Sequence, residues 1–384
     1  MRYEIKKLLW RKEVWIVAGL SVLALILLSM RSAWIPFSVT RFARQKQTEY
    51  YNIPPDQADA ALSAELAALG DAAADFDSPD YPYWRVLHEM QRCIETYRKQ
   101  EAKMTQLLHN MYRDLDRSDG FAHRDLAHAI ALYNRKMTYR VCDANSLGFA
   151  LIGTDSDASA QALYLLILCT LLSPLFAAET ETGMAQILYP SRKGKKGLFR
   201  QKIGGGLCCT VLFALSYTFL AAAIRWCQSG LSIRLLFAPI QCVESMQNCP
   251  YALSVLDYLL LTAVMRVLIG ALLTAFIALM SCFTKKTVTV FGAAGGIAAI
   301  LLLLQNLLAD HPAAMLFLKR LGLMRLSVMS DYLAHYDTVN VCGYPITQLW
   351  LSAACTCGIT LALLAAADYS YIGKQVKQCS ASKG

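Results

Sequence analysis

The sequence contains six apolar stretches, each close to the length that a helix needs to cross a bilayer. A bilayer core takes about 20 consecutive apolar residues of α-helix. Leu, Ala, Ile and Val dominate the stretches without the alternation of barrel strands, so we expect helices. The stretches are 14–30, 159–178, 203–224, 258–283, 287–308 and 347–367. The sequence therefore predicts an all-α integral membrane protein with six transmembrane helices.

The low charge of the chain supports the membrane class. Of its 384 residues, 56% are hydrophobic and 17% are charged, whereas soluble globular domains carry about 25% charged residues. A cleavable signal peptide is the alternative for 14–30, because the residues before this stretch are basic. The stretch is long for a signal peptide, however, and no small-x-small cleavage site follows it. We expect 1–30 to form an amphipathic cytoplasmic start and an uncleaved first span.

Lysine and arginine residues near the six stretches predict which ends face the cytoplasm. Sixteen of them lie in the N-terminal segment, between the second and third stretches, in the turn after the fourth, and in the C-terminal tail. Only five lie in the short segments on the other side. Because cytoplasmic loops carry the excess of these residues, both termini are predicted to be cytoplasmic. The net charge of +9 then suits anionic membrane lipid as a partner, and we expect no nucleic acid.

The long segment 31–158 predicts a large extracellular helical domain between the first two spans. An Ala- and Leu-rich helix is expected from a cap at Asp56 to a stop at Gly70. A second helix is indicated by apolar residues at helical spacing, namely Val86, Met90, Cys93, Ile94 and Tyr97. The sequence SDG at 118–120 ends this helix, and a further helix returns toward the membrane. Residues 159–384 are the predicted five-span membrane domain.

The chain carries no motif for catalysis of its own. The sequence contains no G-x-x-x-x-G-K-[ST] loop, no G-x-G-x-x-G or G-x-S-x-G motif and no H-E-x-x-H. No two of its six histidines have the i, i+4 spacing of a helical metal site. We therefore expect no catalytic residues, no metal and no cofactor bound by this chain, and we predict that the chain is not an enzyme.

Arg266 is the one arginine well inside a predicted span, in the sequence LLLTAVMRVLIGALL. A charged side chain at this depth is costly and is by default a functional candidate. It is a candidate for the lining of a conduit. The alternative is that its long side chain extends to the outer headgroups.

The thirteen cysteines include six in segments predicted to be external. An even number of external cysteines permits disulfide bonds. Cys93 and Cys142 are a candidate pair, because a bond between them would cross the predicted helical hairpin. Spacing does not determine the connectivity, and free thiols are an equal alternative.

The loop 179–202 between the second and third spans combines acidic, glycine and basic residues. Glu179 and Gly183 are four residues apart, hence on one helical face, and Pro190 ends the short helix. Six lysines and arginines follow before the third span. The basic part is explained by topology alone, whereas an exposed glycine on a helical face leaves room for the backbone of another protein. The alternative is a topogenic loop with incidental glutamates.

These residues resemble a known family pattern. Phe176, Glu179, Gly183, Pro190, Ser191, Arg192 and Lys202 are similar to the F-x-x-E-x-x-x-G … P-S-R … K pattern of ATP-binding-cassette exporter permeases. The resemblance is to the type-2 class, which is typical of bacteria. It extends to the six spans, the two internal termini and the position of this loop, whereas segment 31–158 has no recognisable counterpart in that family.

The resemblance implies a permease subunit that exports a substrate across the bacterial plasma membrane. ATP and Mg²⁺ would bind to a separate cytoplasmic ATPase subunit, in two copies, which docks on the loop. A second permease copy or a sister permease would complete the conduit. The residues implied in ATPase coupling are Glu179, Glu181, Gly183, Pro190, Ser191, Arg192 and Lys202. The alternative function is a membrane receptor, sensor or immunity-type protein that uses the extracellular domain.

Overall fold

The computed structural model describes residues 37–135, 139–155, 157–182, 194–284, 286–307 and 311–381, together with eight helical residues between 16 and 27. These parts are mainly α-helical. The first helices are α1 (Phe37–Tyr50), α2 (Pro55–Leu69), α3 (Tyr81–Leu115), α4 (Gly120–Tyr133), α5 (Ala144–Asp155) and α6 (Ala158–Glu181). The later ones are α7 (Gly194–Gln228), α8 (Val255–Phe283), α9 (Thr287–Leu307), α10 (Pro312–Leu321), α11 (Ser330–Leu333) and α12 (Gln348–Ala381).

Five of these helices are long and apolar enough to cross a membrane. The apolar segments are Ala158–Leu175, Phe199–Gln228, Val255–Phe283, Thr287–Leu304 and Gln348–Tyr371. They correspond to the second to sixth predicted stretches, as expected for an all-α, multi-pass membrane protein. The predicted first span lies mostly outside the described residues. Its described residues are helical, and their side chains are mainly exposed, as at Ile16, Leu20, Leu23 and Leu27.

The connections between the five helices alternate between two ends of the bundle. At one end, the segments 229–254 and 311–347 contact the helical lobe, which we define as α1 to α4. Two contacts are an ion pair between Arg92 and Glu244 at 3.2 Å and a hydrogen bond between His128 and Tyr336 at 3.0 Å. We call this the lobe end. At the opposite end, α6 meets the start of α9 and α7 meets the end of α12.

The lobe has its own small core. Leu62, Met90 and Ile94 are fully buried there, because apolar residues at helical spacing place one face of α2 against one face of α3. Helix α2 ends at Gly70 as predicted, with a positive φ of 79°. The predicted cap at Asp56 is wrong, since the helix begins one residue earlier without a side-chain cap. The Asp56 carboxylate accepts a hydrogen bond from Arg98 at 2.7 Å instead.

The lobe end also contains a β-hairpin that the sequence analysis did not predict. Strands β1 (Thr338–Val341) and β2 (Tyr344–Thr347) pair antiparallel, with Thr338 opposite Thr347. Cys342 and Gly343 form the two-residue turn, and both have positive φ, as this kind of hairpin turn requires. The Arg124 guanidinium of α4 lies 5.0 Å from the Tyr344 ring, so the hairpin packs against the lobe.

Candidate functional site

Arg266 lies in the middle of the bundle. Helix α8 packs against α6, α7, α9 and α12, and Arg266 is roughly 17 Å along it from Val255 at 1.5 Å per residue. The side chain is only 1% exposed. It therefore points into the helix bundle and does not extend to the headgroups.

Polar groups of α6 and α7 surround this arginine. Its Nη1 donates a hydrogen bond to Thr218 Oγ1 at 3.0 Å, and its guanidinium carbon is 5.5 Å from the centre of the Tyr217 ring. The Tyr164 hydroxyl donates to the Arg266 carbonyl at 3.0 Å. We call Tyr164, Tyr217, Thr218 and Arg266 the Arg266 cluster. It joins three helices and supplies the polar contacts that a buried charge requires.

The three helices are in close contact at Gly270, one turn after Arg266. A Cβ atom at this position would lie 2.4 Å from Thr210 Cγ2 and 2.9 Å from the Tyr164 hydroxyl. Beside it, the hydroxyls of Thr210 and Thr274 form a hydrogen bond at 2.9 Å. A small residue with interhelical hydroxyl bonds is the usual way in which membrane helices pack tightly. The Arg266 cluster is therefore held by a close three-helix crossing.

An ion pair lies at the lobe end of the same helices. Arg225 of α7 donates to the Asp157 carboxylate, just before α6, at 3.0 Å. Burial acts to raise the pKa of Asp157, but hydrogen bonds from Ser159 and the charge of Arg225 outweigh burial and lower it. The Asp157 carboxylate therefore stays ionised beside Arg225 of α7 at neutral pH.

The predicted coupling residues are distributed between described and undescribed parts of the chain. Gly183, Pro190, Ser191 and Arg192 lie outside the described residues.

Of the remaining coupling residues, Glu179 lies near the end of α6, and Lys202 lies in α7 with its side chain 5% exposed. Glu181 is the last residue of α6 and makes contacts with another helix. The structure therefore brings the start of the loop 179–202 to the bundle end opposite the lobe.

Glu181 caps the start of α9. Its carboxylate accepts a hydrogen bond from the Thr287 backbone N–H at 3.1 Å and another from the Thr287 hydroxyl at 2.6 Å. These bonds lower the pKa of Glu181. A carboxylate at this position satisfies a free N–H of the first turn and suits the positive end of the helix dipole. The sequence predicted a coupling role for Glu181 but did not indicate a partner within the chain, because Thr287 is 106 residues away.

The candidate cysteine pair lies at the lobe end. Cys93 of α3 and Cys142 are both buried free cysteines, and their thiols interact with each other. The structure thus brings the two residues together, while the disulfide bond itself stays a prediction. A third thiol, that of Cys242, also contacts Cys142. No local sequence pattern indicated the contact between Cys142 and Cys242, since these residues are 100 positions apart.

A cleft opens at the same junction between the lobe and the segment that precedes α8. Its volume is about 90 Å³, and its walls include Tyr97, Met104, Tyr133, Tyr139, Pro239 and Gln241. The Gln241 side-chain amide holds one wall by donating to the carbonyls of Cys249 and Tyr251 at 3.2 Å and 2.7 Å. Aromatic and apolar walls with a few polar groups are typical of small-molecule sites.

Within the described ranges, no group of three or more His, Cys, Asp or Glu residues is arranged to hold a metal ion. No family model matches the chain, and no curated protein is significantly similar to it. Its function has to be inferred from its own residues and their arrangement.

Proposed function

We propose that this chain is the membrane-spanning permease subunit of a type-2 ABC exporter in a bacterial plasma membrane. The observation that carries the proposal is the contact between the coupling loop and a second transmembrane helix, Glu181 to Thr287. In this proposal, residues 14–30 form the first of six spans, the lobe is extracellular, and both termini are cytoplasmic.

The arrangement of charge supports this orientation. The end opposite the lobe carries the loop 179–202, the turn at 284–286 and the tail after 371. These segments hold eleven lysines and arginines, against four in the connections 229–254 and 311–347 at the lobe end. Basic segments face the cytoplasm and bind anionic lipid there. A cytoplasmic ATPase therefore reaches the coupling loop, whereas the lobe faces outward.

The contacts of Glu181 suggest how movement of the loop reaches the bundle. A partner that displaces residues 179–192 pulls on Glu181, which pulls on the first turn of α9 through its bonds to Thr287. The same displacement moves α6, whose Tyr164 holds the Arg266 carbonyl. ATP-driven closure of two partner ATPases would thus tilt α6 and α9 together, which is the mechanical event that alternating access needs.

Arg266 is the proposed conduit residue. Its hydrogen bond to Thr218 and its contact with Tyr217 both connect α8 to α7. Separation of these two helices would free the guanidinium to face the passage. A cation in a low-dielectric passage favours cargo with a negatively charged or carbonyl group. A second copy of this chain or a sister permease would form the other wall.

Co-purification of the full-length chain from its native membrane tests this proposal. The wild-type protein is expected to capture an ATP-binding protein that carries a Walker loop, because this chain has none. Glu179→Lys is expected to abolish the capture while membrane insertion is unchanged. The matched control is Glu95→Lys, the same charge reversal at an exposed position of α3 in the lobe.

The proposal fails if the wild-type chain inserts normally and no ATP-binding protein accompanies it, or if both variants capture the ATPase equally well. The alternative function is then a receptor, sensor or immunity-type protein. The cleft between the lobe and the segment before α8 favours that alternative, since a ligand there would contact the lobe and the segment leading to the Arg266 helix.

A further inference from the structure

Three cysteines meet where the lobe joins the membrane bundle. Cys93 is on α3, Cys142 lies two residues before α5, and Cys242 ends the short 3₁₀ helix Ile240–Cys242 that leads toward α8. All three are free cysteines, and their side chains are 5%, 0% and 1% exposed. We call them the cysteine cluster. Together they connect the lobe, the entry to α5 and the entry to α8.

Cys142 occupies the centre of the cluster. Its thiol interacts with the thiols of both Cys93 and Cys242, and its Sγ lies 4.0 Å from the Cys242 carbonyl. The Cys242 thiol donates to the Arg140 carbonyl at 3.4 Å, which keeps it on the same side. Because one sulfur atom forms one disulfide, a bond from Cys142 to either neighbour excludes a bond to the other.

Tyr139 distinguishes Cys93 from Cys242. Its hydroxyl lies 3.1 Å from the Cys93 carbonyl and in hydrogen-bond contact with Cys93 Sγ, so its one proton can be donated to the sulfur once Cys93 is a thiolate. The Tyr139 ring is stacked on Tyr97, with 3.9 Å between the ring centres, so the hydroxyl is held in place. A fixed O–H beside a sulfur stabilises the thiolate form of that sulfur. Hydrogen bonds from Cys142 and then Tyr139 accordingly lower the pKa of Cys93 despite its burial.

We propose that the cysteine cluster is a thiol–disulfide exchange site in which Cys142 is the shared sulfur. A low-molecular-weight disulfide such as oxidised glutathione first oxidises Cys93 and Cys142. The S–S bond of the oxidant breaks, the Cys93–Cys142 bond forms, and the two protein thiol protons leave with two molecules of reduced glutathione. The Cys242 thiolate then attacks the Cys142 sulfur and expels Cys93 as a thiolate, which takes up the proton that Cys242 released. This second step needs no further oxidant.

The direction of exchange follows from the leaving group. A thiol with a lower pKa leaves faster and is the more stable free thiolate, and it is the sulfur of Cys93 that the Tyr139 hydroxyl contacts. Exchange therefore favours the Cys142–Cys242 bond. The first disulfide ties α3 of the lobe to the entry of α5. The second releases α3 and ties the entry of α5 to the segment that leads to α8, the helix that carries Arg266. This inference does not depend on the proposed transport function.

The test is disulfide mapping of the full-length protein in membranes. The protein is incubated with oxidised glutathione, quenched in acid, alkylated under denaturing conditions and analysed by peptide mass spectrometry. Wild type is expected to contain mainly Cys142–Cys242, with Cys93–Cys142 as the earlier and minor product. Tyr139→Phe is expected to lower the ratio of the two by about fivefold, which corresponds to roughly 1 kcal/mol for one hydrogen bond.

Three cysteine variants complete the test. Cys242→Ser should leave Cys93–Cys142 as the product, and Cys142→Ser should contain no disulfide within the cluster. Cys249→Ser changes a buried cysteine of the same region whose thiol bonds to the Tyr251 carbonyl, and it should match wild type. The proposal is overturned if Cys93–Cys242 is the main bond, if only mixed disulfides with glutathione form, or if Tyr139→Phe leaves the ratio unchanged. Because Cys242→Ser keeps the shared sulfur of Cys142, its disulfide pattern tests the proposal even if Cys142→Ser does not fold.

Discussion

Glu181 at the end of α6 caps Thr287 at the start of α9, so that a residue of the loop 179–202 closes the first turn of another membrane helix. The two hydrogen bonds, 3.1 Å from the backbone N–H and 2.6 Å from the hydroxyl, converge on the same carboxylate oxygen. Helix starts leave N–H groups without intrahelical partners. An acceptor from a separate segment therefore makes the stability of this turn depend on where the loop is.

Loss of this cap should open the start of α9. In Glu181→Ala, we expect the first-turn amides of α9, at 287–290, to exchange with deuterium faster than in wild type, while those in the middle of α9 are unchanged. Hydrogen exchange with mass spectrometry checks this, with Glu95→Ala in the lobe as the control. Unchanged exchange at 287–290 would contradict the capping role. Because the pKa of Glu181 is lowered, the protection is present at neutral pH and is lost as the pH falls through that lowered value.

Arg266 should not be replaceable by lysine. The guanidinium donates to Thr218 and lies over the Tyr217 ring, and a lysine ammonium lacks the planar fork that makes both contacts. We expect Arg266→Lys to lower the free energy of unfolding by about 2 kcal/mol, the size of a hydrogen bond to a charged group. This decrease in stability is measured by thermal unfolding in detergent. Arg320→Lys, at an exposed position of α10, should have no measurable effect, and equal midpoints for both variants would refute the prediction.

Gly270 should tolerate no side chain. An alanine methyl would lie 2.4 Å from Thr210 Cγ2 and 2.9 Å from the Tyr164 hydroxyl, so α6, α7 and α8 would have to move apart. Overpacking of this kind costs about 1–3 kcal/mol. Gly296→Ala is the matched control, because it also replaces a glycine of a membrane helix, but the added methyl would meet no neighbouring atom within 4 Å. We expect a lower unfolding midpoint for Gly270→Ala alone, and an equal decrease in both variants would show that the crossing is not tight.

The Asp157–Arg225 pair should stabilise the fold in a pH-dependent way. The folded state lowers the pKa of Asp157 from its ordinary value of 3.8. A carboxyl with a depressed pKa contributes stability above its unfolded pKa, and that contribution is lost as the pH falls through the folded value. We therefore expect Asp157→Asn to have a lower unfolding midpoint than wild type at pH 7. The difference between the two unfolding midpoints should disappear as the pH falls below about 3.8. A difference that is independent of pH would exclude the ion pair as its cause.

The spans could be predicted from the sequence because a membrane helix satisfies its own backbone and needs only local apolar composition. The stretch 258–283 was found as Val255–Phe283, and the stretch 287–308 as Thr287–Leu307. Helix α6 continues past its predicted end to Glu181, since intrahelical hydrogen bonding does not stop where the apolar residues do. The hairpin at 338–347 was missed because its turn, Cys342-Gly343, carries no Asn-Gly or Asp-Gly signal.

The sequence alone is sufficient for the membrane class, the positions of five spans and the arginine in the fourth predicted span. The contacts that these residues make depend on the tertiary structure. Thr218 binds Arg266 from 48 residues away, and Thr287 binds Glu181 from 106 residues away. Cys242 likewise reaches Cys142 across 100 positions. Such pairs leave no local periodicity, because their distance depends on how the helices pack and not on the residues between them.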